Sequence, residues 1–328
     1  MQLRRPLNLF YEEPDPDRWM PFDRYPRRLV RRIVRGPWQP GGAMRVFLNL
    51  MAGLDRLGVP YRVNDYRHMR ANPDELACLI GKPHILKSFQ HRTPLLFGPS
   101  IYNHPIDDEQ LPSRHAIRQV VVPSAWVQRM FSEVWPGIIS VWPVGIDVER
   151  WAPSPNRNKD IDVLVYDKIS RDREKYEDSL INPLIEDLRR RGLVVEILRY
   201  GSYFERQFHA LSRRVRAMVY LSRHETQGIA VEQIMASGVP VFAWDPGGDW
   251  QSLEYLLRGV RFGPVTSVPY WDDRCGVTFV GADLSSAFDE FWHGVTTGKF
   301  SPREMILDQK LTLEEGAQAY VDLADKYA

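Results

Sequence analysis

The segment from Ser222 to Pro246, SRHETQGIAVEQIMASGVPVFAWDP, sets out a carboxylate, a glycine and an apolar periodic run in an order that suits polar-ligand chemistry. The run Ala217 to Ser222 predicts a strand that stops at His224-Glu225. Gly228 then opens a helix, Gly238-Val239-Pro240 ends it, and Val241 to Trp244 predicts the next strand. Free amides and the dipole at such a helix start attract phosphate, and glycine admits a ligand close to the backbone. Glu225 at the strand end adds an acceptor for hydroxyls. An isolated Glu there is ordinarily a surface residue. The flanking His224 and Gly228 single this one out.

The elements that must position these groups alternate strand and helix along both halves. In the first half, Leu7 to Tyr11 reads as a strand, followed by a long basic excursion. Pro40-Gly41-Gly42 then opens an amphipathic helix, Ala43 to Leu57, closed by Gly58. Further strands are predicted at 61–64, 76–80, 95–98, 119–122 and 138–141. Ser124 is placed to cap a helix over 125–134. The stretch 151–158 is proline-rich and polar, a linker. The second half restarts with the strand Ile161 to Tyr166, then a helix over 176–191, a strand at 194–198 and a helix over 204–215. The expected fold is therefore α/β, two doubly wound Rossmann-like domains facing a central cleft, with ligands beyond the carboxyl ends of the strands. Domain boundaries are expected at 1–150, 151–158 and 159–305, with a C-terminal helix over 306–328 packing back toward the N-terminal domain.

Composition removes several classes. Net charge is +1, so the whole molecule has no bias toward nucleic acid. Two distant cysteines, Cys78 and Cys275, make neither a disulfide framework nor a zinc cluster, and they fit a reducing cytoplasm. No apolar run approaches the length of a membrane span, and the N-terminus lacks the apolar core of a signal peptide. The expected location is cytoplasmic. The histidines are scattered without ligand spacing, and Asp272-Asp273 is adjacent rather than spaced, so no metal is expected. Gly294 to Lys299 is one residue short of a P-loop, and no nucleophile elbow occurs. One basic patch stands out: Arg24, Arg27, Arg28, Arg31, Arg32 and Arg35 interleave with apolar residues. Arg24 to Arg35 has two readings, a helix lying on anionic lipid at the inner face of the membrane, or an ordinary helix with its arginines in water.

The run Met235-Ala236-Ser237-Gly238-Val239-Pro240-Val241 resembles, without a gap, the Met-Ala-x-Gly-x-Pro-Val run of retaining GT-B glycosyltransferases of the family-four type. In that family a Glu, seven residues and a second Glu precede the run. The register puts Glu225 on the first Glu and Gln233 on the second. The resemblance implies that Glu225 holds donor-sugar hydroxyls and that the second position meets the nucleotide ribose. Gln233 departs from the pattern: it still accepts a hydrogen bond but without charge assistance. Glu232 takes that role only if the helix slips by one residue.

By the same resemblance, Lys168 and Arg173 match a pair of cations that bind the donor diphosphate, with their order swapped and Asp167 in place of a glycine. In isolation they would read as a solvated face. Gly41-Gly42 resembles a glycine pair that approaches acceptor or donor phosphate, the other reading being a steric helix cap. His104 lies near where the family often has an active-site histidine, the other reading being a turn histidine. Val144-Gly145-Ile146-Asp147 is like a turn of the family, and Tyr270 and Trp271 either stack on a base or sugar or pack a loop.

What the resemblance implies is a metal-independent, retaining transfer of a sugar from a nucleotide sugar to a carbohydrate or lipid-linked acceptor. Lys168, Arg173 and the amides of Gly228 and Ile229 would stabilise the leaving diphosphate, whose own oxygen would take the acceptor proton on the front face. No cofactor is expected. Two other readings stand beside it: a nucleotide-sugar epimerase of the same fold, and a degenerate, non-catalytic binding subunit.

Overall fold

A computed structural model describes residues 5–13, 20, 26, 41–155, 159–281 and 284–328. The arginines of the stretch 24–35, on which the membrane reading rests, lie outside the described residues. The chain divides into two units, Met1–Pro123 with Gln128–Val144 and Glu314–Ala328, and Ser124–Val127 with Gly145–Leu313.

In the first unit six strands pair in parallel: β1 (Leu7–Phe10), β2 (Tyr61–Val63), β3 (Ala77–Leu79), β4 (Leu95–Phe97), β5 (Ile117–Val122) and β6 (Ile139–Val141), in the order β2-β1-β3-β4-β5-β6. β1, β3 and β4 are buried at every position. Strands covered on both faces read as unbroken apolar runs, which is how the sequence shows them. The polar exception, Asn8, donates to Glu75 at 3.1 Å and to the Leu76 carbonyl at 3.2 Å, and accepts from Arg62 at 3.1 Å. The helix Gly42–Leu57 follows Gly41 and stops at Gly58, whose φ of +66° only glycine adopts without strain.

The second unit is a five-stranded parallel sheet in the order β11-β10-β9-β7-β8. Its strands are β7 (Ile161–Asp167), β8 (Val195–Arg199), β9 (Val215–Leu221), β10 (Val241–Trp244) and β11 (Gly276–Phe279). Alternate residues feed two cores. Leu164, Tyr166, Met218 and Tyr220 pack with Ile234 and Met235 of the helix Ile229–Ala236 on one face. Val163, Val165, Ala217 and Val219 pack with Leu184 and Phe288 on the other. The order of strands reverses between β7 and β9, which makes the gap beyond their carboxyl ends a topological switch point.

Three expectations change. The helix expected over 176–191 is Arg173–Tyr176, a π turn at Glu177–Ile181, then Asn182–Arg190. Pro183 supplies no N–H to the ladder, and within the same stretch the Ser179 hydroxyl donates to the Lys175 carbonyl at 2.7 Å. Ser124 does not cap its helix, since its hydroxyl is buried without a hydrogen-bond partner among the described residues. The stretch 306–328 holds the end of one helix, Pro302–Asp308, and a second, Leu313–Tyr327. Lys310, at φ +57°, breaks them apart, and the Leu311 amide returns to the Ile306 carbonyl at 3.0 Å. The second helix belongs to the first unit, where Trp142 donates to the Gly316 carbonyl at 2.8 Å and meets the Tyr320 ring at 4.6 Å.

Gly145 has a steric role of its own. It lies against the break at 309–312, and a Cβ there would come within 1.9 Å of the Thr312 carbonyl oxygen. Ile146 also exchanges backbone bonds with Leu311 and Leu313 at 2.8 and 3.1 Å. Gly145→Ala should therefore destabilise by about 1–3 kcal/mol, an overpacking cost. Gly41→Ala, with nothing among the described residues within 4 Å of the added atom, should be close to neutral. Urea unfolding of the two variants measures the contrast, and equal midpoints would count against the close approach.

Candidate functional site

Lys168 is the first residue after β7, and Glu225 lies four residues beyond β9, so the two flank the switch point of the second sheet. The Lys168 amide donates to the Leu221 carbonyl at 2.9 Å, which ties the two strand ends together. Its ammonium reaches the Glu225 carboxylate, 2.8 Å from Oε2 and 2.7 Å from Oε1. Tyr220 and Ser222 each donate a hydroxyl hydrogen bond to Glu225 Oε1 at 2.8 Å. The backbone of Glu225 is fixed as well: its amide donates to the Thr266 carbonyl at 2.9 Å, and its carbonyl accepts from Trp126 Nε1 at 2.8 Å.

Glu225 is only 7% exposed, and burying a carboxylate is costly unless it is paired and hydrogen-bonded. Here one cation and two hydroxyls meet that need. Oε1 is fully used, so the remaining capacity for a hydroxyl donor lies on Oε2. Burial, then the Glu225 charge, pushes the Tyr220 hydroxyl well above its ordinary range, so it stays a donor. Burial lowers the His224 pKa and favours the neutral ring. The Lys168 ammonium also lies 4.8 Å from the Tyr200 ring centroid.

Gly228 has φ +93° and starts the helix Ile229–Ala236, and a Cβ there would stand 2.9 Å from Val231 Cγ1. The glycine is required by the backbone itself. Glu232, in the first turn, is fully buried: Oε2 accepts from Gln227 at 2.9 Å and Oε1 has no partner among the described residues. Burial pushes its carboxyl up to about 8, so it is largely neutral at pH 7. Gln233 is 7% exposed, and its backbone carbonyl accepts from the Ser237 hydroxyl at 3.2 Å.

Arg173 is not brought to Glu225. Its guanidinium bonds Asp167 at the end of β7, Glu177 at 2.6 Å and the Ile169 carbonyl at 3.0 Å. Asp167, 2% exposed, needs that cation, so Arg173 is spent on holding the strand end. Two arginines that sequence reasoning passed over lie on the same loops. Arg171 reaches the Gln251 carbonyl and the Ser252 hydroxyl at 3.4 and 3.5 Å, and Arg223 pairs with Asp172 at 3.3 Å. The signal for Arg173 was Asp167 itself, a carboxylate at a buried strand end.

In the first unit, Gly41 and Gly42 begin their helix, and among the described residues nothing lies within 4 Å of a Cβ added at either. His104 is 3% exposed, and its Nδ1 accepts from the Ile106 amide at 3.2 Å, the geometry of a turn histidine. Tyr270 and Trp271 pack against the core of the second unit. Among the described residues, no three His, Cys, Asp or Glu side chains gather where a metal ion would sit.

No protein-family model matches the sequence, and no curated protein matches it. Solved structures do. The sucrose-phosphate synthase of Thermosynechococcus elongatus aligns over 98% of this chain and 99% of its own at 13% identity, with a TM-score of 0.56. The lipopolysaccharide outer core galactosyltransferase WaaB aligns over 98% and 100% at 11% identity, with a TM-score of 0.53. A mutant of TarM from S. aureus, in complex with fondaparinux, alpha-GlcNAc-glycerol and UDP, aligns over 79% of this chain at 12% identity and a TM-score of 0.53. The chain spans 58% of that protein's length. Similarity at this level is one of fold: the chain has two Rossmann-like units and the GT-B architecture.

Two measurements probe the site. Lys168→Met leaves the Glu225 carboxylate unpaired and should cost about 3 kcal/mol in urea unfolding, as breaking a buried pair does. Adding Glu225→Gln should restore most of that loss; additive losses would mean the two groups do not interact. Glu232 gives a pH signature. Its folded pKa lies above the unfolded value, so its contribution is complete below about pH 4.3 and is lost as pH rises through about 8. Melting temperature should fall more steeply between pH 6 and 9 in the wild type than in Glu232→Gln. Parallel slopes would remove Glu232 as the titrating group.

Proposed function

We propose that the protein is a retaining, metal-independent glycosyltransferase that moves a sugar from a nucleoside diphosphate donor to an acceptor hydroxyl on a carbohydrate or lipid-linked sugar. The observation that carries this reading is the buried Glu225–Lys168 pair at the switch point of the second sheet, next to the glycine-started helix at Gly228. The GT-B fold shared with two glycosyltransferases supports it, as does the UDP bound to TarM.

In this reading the diphosphate lies over the amides of Gly228 and Ile229, where the helix dipole favours negative charge. Lys168 supplies the mobile cation, and Glu225 Oε2 takes a sugar hydroxyl. Arg173 acts through Asp167, keeping the end of β7 in place. Charge that develops on the leaving diphosphate is met by fixed donors, and a diphosphate oxygen accepts the proton of the attacking hydroxyl. Gln233 and Glu232 lie one turn into the helix and limit how the ribose is held. No helix among the described residues is long and apolar enough to cross a membrane.

A screen of nucleoside diphosphates by thermal shift gives the first test, since a ligand at a hundred times its Kd adds about 2.7 kcal/mol of stability. Glu225→Gln should then lose transfer by about a hundredfold, the scale of removing one preorganised electrostatic contact. It should keep or gain diphosphate affinity, because Lys168 is released from its partner. A variant that transfers at the wild-type rate would return Glu225 to a structural role. Wild-type protein that binds no nucleotide sugar would favour the degenerate binding subunit, the reading to which the Gln233 replacement points.

A further inference from the structure

The first unit holds a cavity with several titratable side chains in its lining, remote in sequence from the Glu225 site. It has a volume of about 310 Å³ and is lined by Lys87, His91, Tyr102, Asp108, Arg114 and His115 over apolar side chains that include Leu86 and Leu111. Its walls are two short crossovers, Pro83–Ser88 between β3 and β4, and Pro105–Asp108 with Leu111–Arg114 between β4 and β5. The Ala116 amide donates to the His91 carbonyl at 3.0 Å and the Leu95 amide to the Ala116 carbonyl at 3.0 Å. The two histidines therefore stand side by side at the amino-terminal ends of β4 and β5. Ligands of open parallel sheets bind at the opposite, carboxyl edge.

The charges of the lining do not cancel. Asp108 is its single carboxylate, and it is already taken by the Arg114 guanidinium and by the Tyr102 hydroxyl at 3.2 Å. Lys87 is exposed and makes no hydrogen bond or ion pair among the described residues. His91 Nδ1 lies 2.9 Å from the Arg114 carbonyl and so carries a proton there, which leaves Nε2 for a ligand. Among the described residues His115 Nδ1 is buried with no hydrogen-bond partner, and its ring centre lies 5.1 Å from that of His91. One ammonium and two imidazoles thus share a cavity whose only acid is neutralised.

We propose that this cavity binds a phosphate group, as free phosphate or as a phosphomonoester. Such an anion accepts charge-assisted bonds from Lys87 and from the protonated imidazoles. The groups facing His115 are Lys87 from one crossover, Tyr102, Asp108 and Arg114 from the other, and His91. Burial, then the charges of His91 and Arg114, hold the His115 pKa below its ordinary value, and a bound anion opposes both charges. Binding therefore raises the His115 pKa and tightens as pH falls. The site stands independently of the sugar-transfer reading.

The test follows the imidazole Cε1 protons of the full chain by NMR while pH is varied, with and without excess inorganic phosphate. The His115 midpoint should rise by about one unit, and sodium chloride at equal ionic strength should not reproduce the rise. Lys87→Ala, an exposed position that leaves the core untouched, should weaken phosphate binding by about tenfold, in keeping with loss of one charge-assisted bond. Glycerol 3-phosphate separates the sources: tighter binding than inorganic phosphate identifies a phosphorylated metabolite, and equal binding identifies free phosphate. A His115 midpoint that neither phosphate moves, or one that moves undiminished in Lys87→Ala, overturns the assignment.

Discussion

A carboxylate held out of water at the junction of two strands sets the conditions for everything around it. Glu225 cannot remain ionised and buried without donors. The donors come from separate parts of the second unit: Lys168 after β7, Tyr220 near the end of β9, and Ser222 just beyond it. Its backbone adds Thr266 and Trp126. Each bond fixes a different loop, so meeting the needs of one charge brings the ends of the sheet to a common point. The β7 and β9 ends must stay in register for Lys168 to reach, and the direct bond from the Lys168 amide to Leu221 holds them there.

A second carboxylate sharpens the arrangement. Asp167 is as deeply buried as Glu225 and lies one residue from Lys168. Two buried acids on neighbouring strand ends require two cations, and the geometry separates them: Arg173 serves Asp167 and Glu177, and Lys168 serves Glu225. Arg173 is locked by three bonds in a planar fork, whereas Lys168 is a point charge on a flexible stem, 29% exposed. Of the two, Lys168 is the less constrained, and under the proposed reading it is the one that exchanges partners for an anion.

Much of this was legible in the sequence, for physical reasons. Parallel strands covered on both faces leave unbroken apolar runs, so β7, β9 and β10 announced themselves. The Gly228 and Gly238 positions bracket a helix because both adopt positive φ. The pairing of Lys168 with Glu225 was not legible as a contact, because 57 residues separate them and each was read as facing a ligand rather than the other. Trp126, 99 residues from Glu225, gave no local sign of its hydrogen bond. Arg173's resting partners follow from Asp167: a carboxylate at a buried strand end requires a cation, and in the sequence Asp167 stands out only as a departure from the glycine of the resembling family. The break at Lys310 was missed because a left-handed residue that is not glycine leaves no compositional mark.

The resting charges also constrain how an anion enters the switch point. Lys168 is balanced by Glu225, and Arg173 is outweighed by Asp167 and Glu177, so these five groups together carry no net positive charge. A diphosphate drawn there meets no excess of cations at first contact. Under the proposed reading, its initial attraction would come from the helix start at Gly228 and from Arg171 and Arg223, whose partners are a carbonyl, a hydroxyl and one exposed carboxylate. Only as Lys168 turns from Glu225 toward the anion does the carboxylate lose its cation, and Oε2 then needs a new donor. Under the proposed reading, a sugar hydroxyl attached to that same diphosphate is the donor at hand. The two halves of the ligand are then coupled through one ion pair: the anion frees the acceptor, and the hydroxyl stabilises the acceptor so freed.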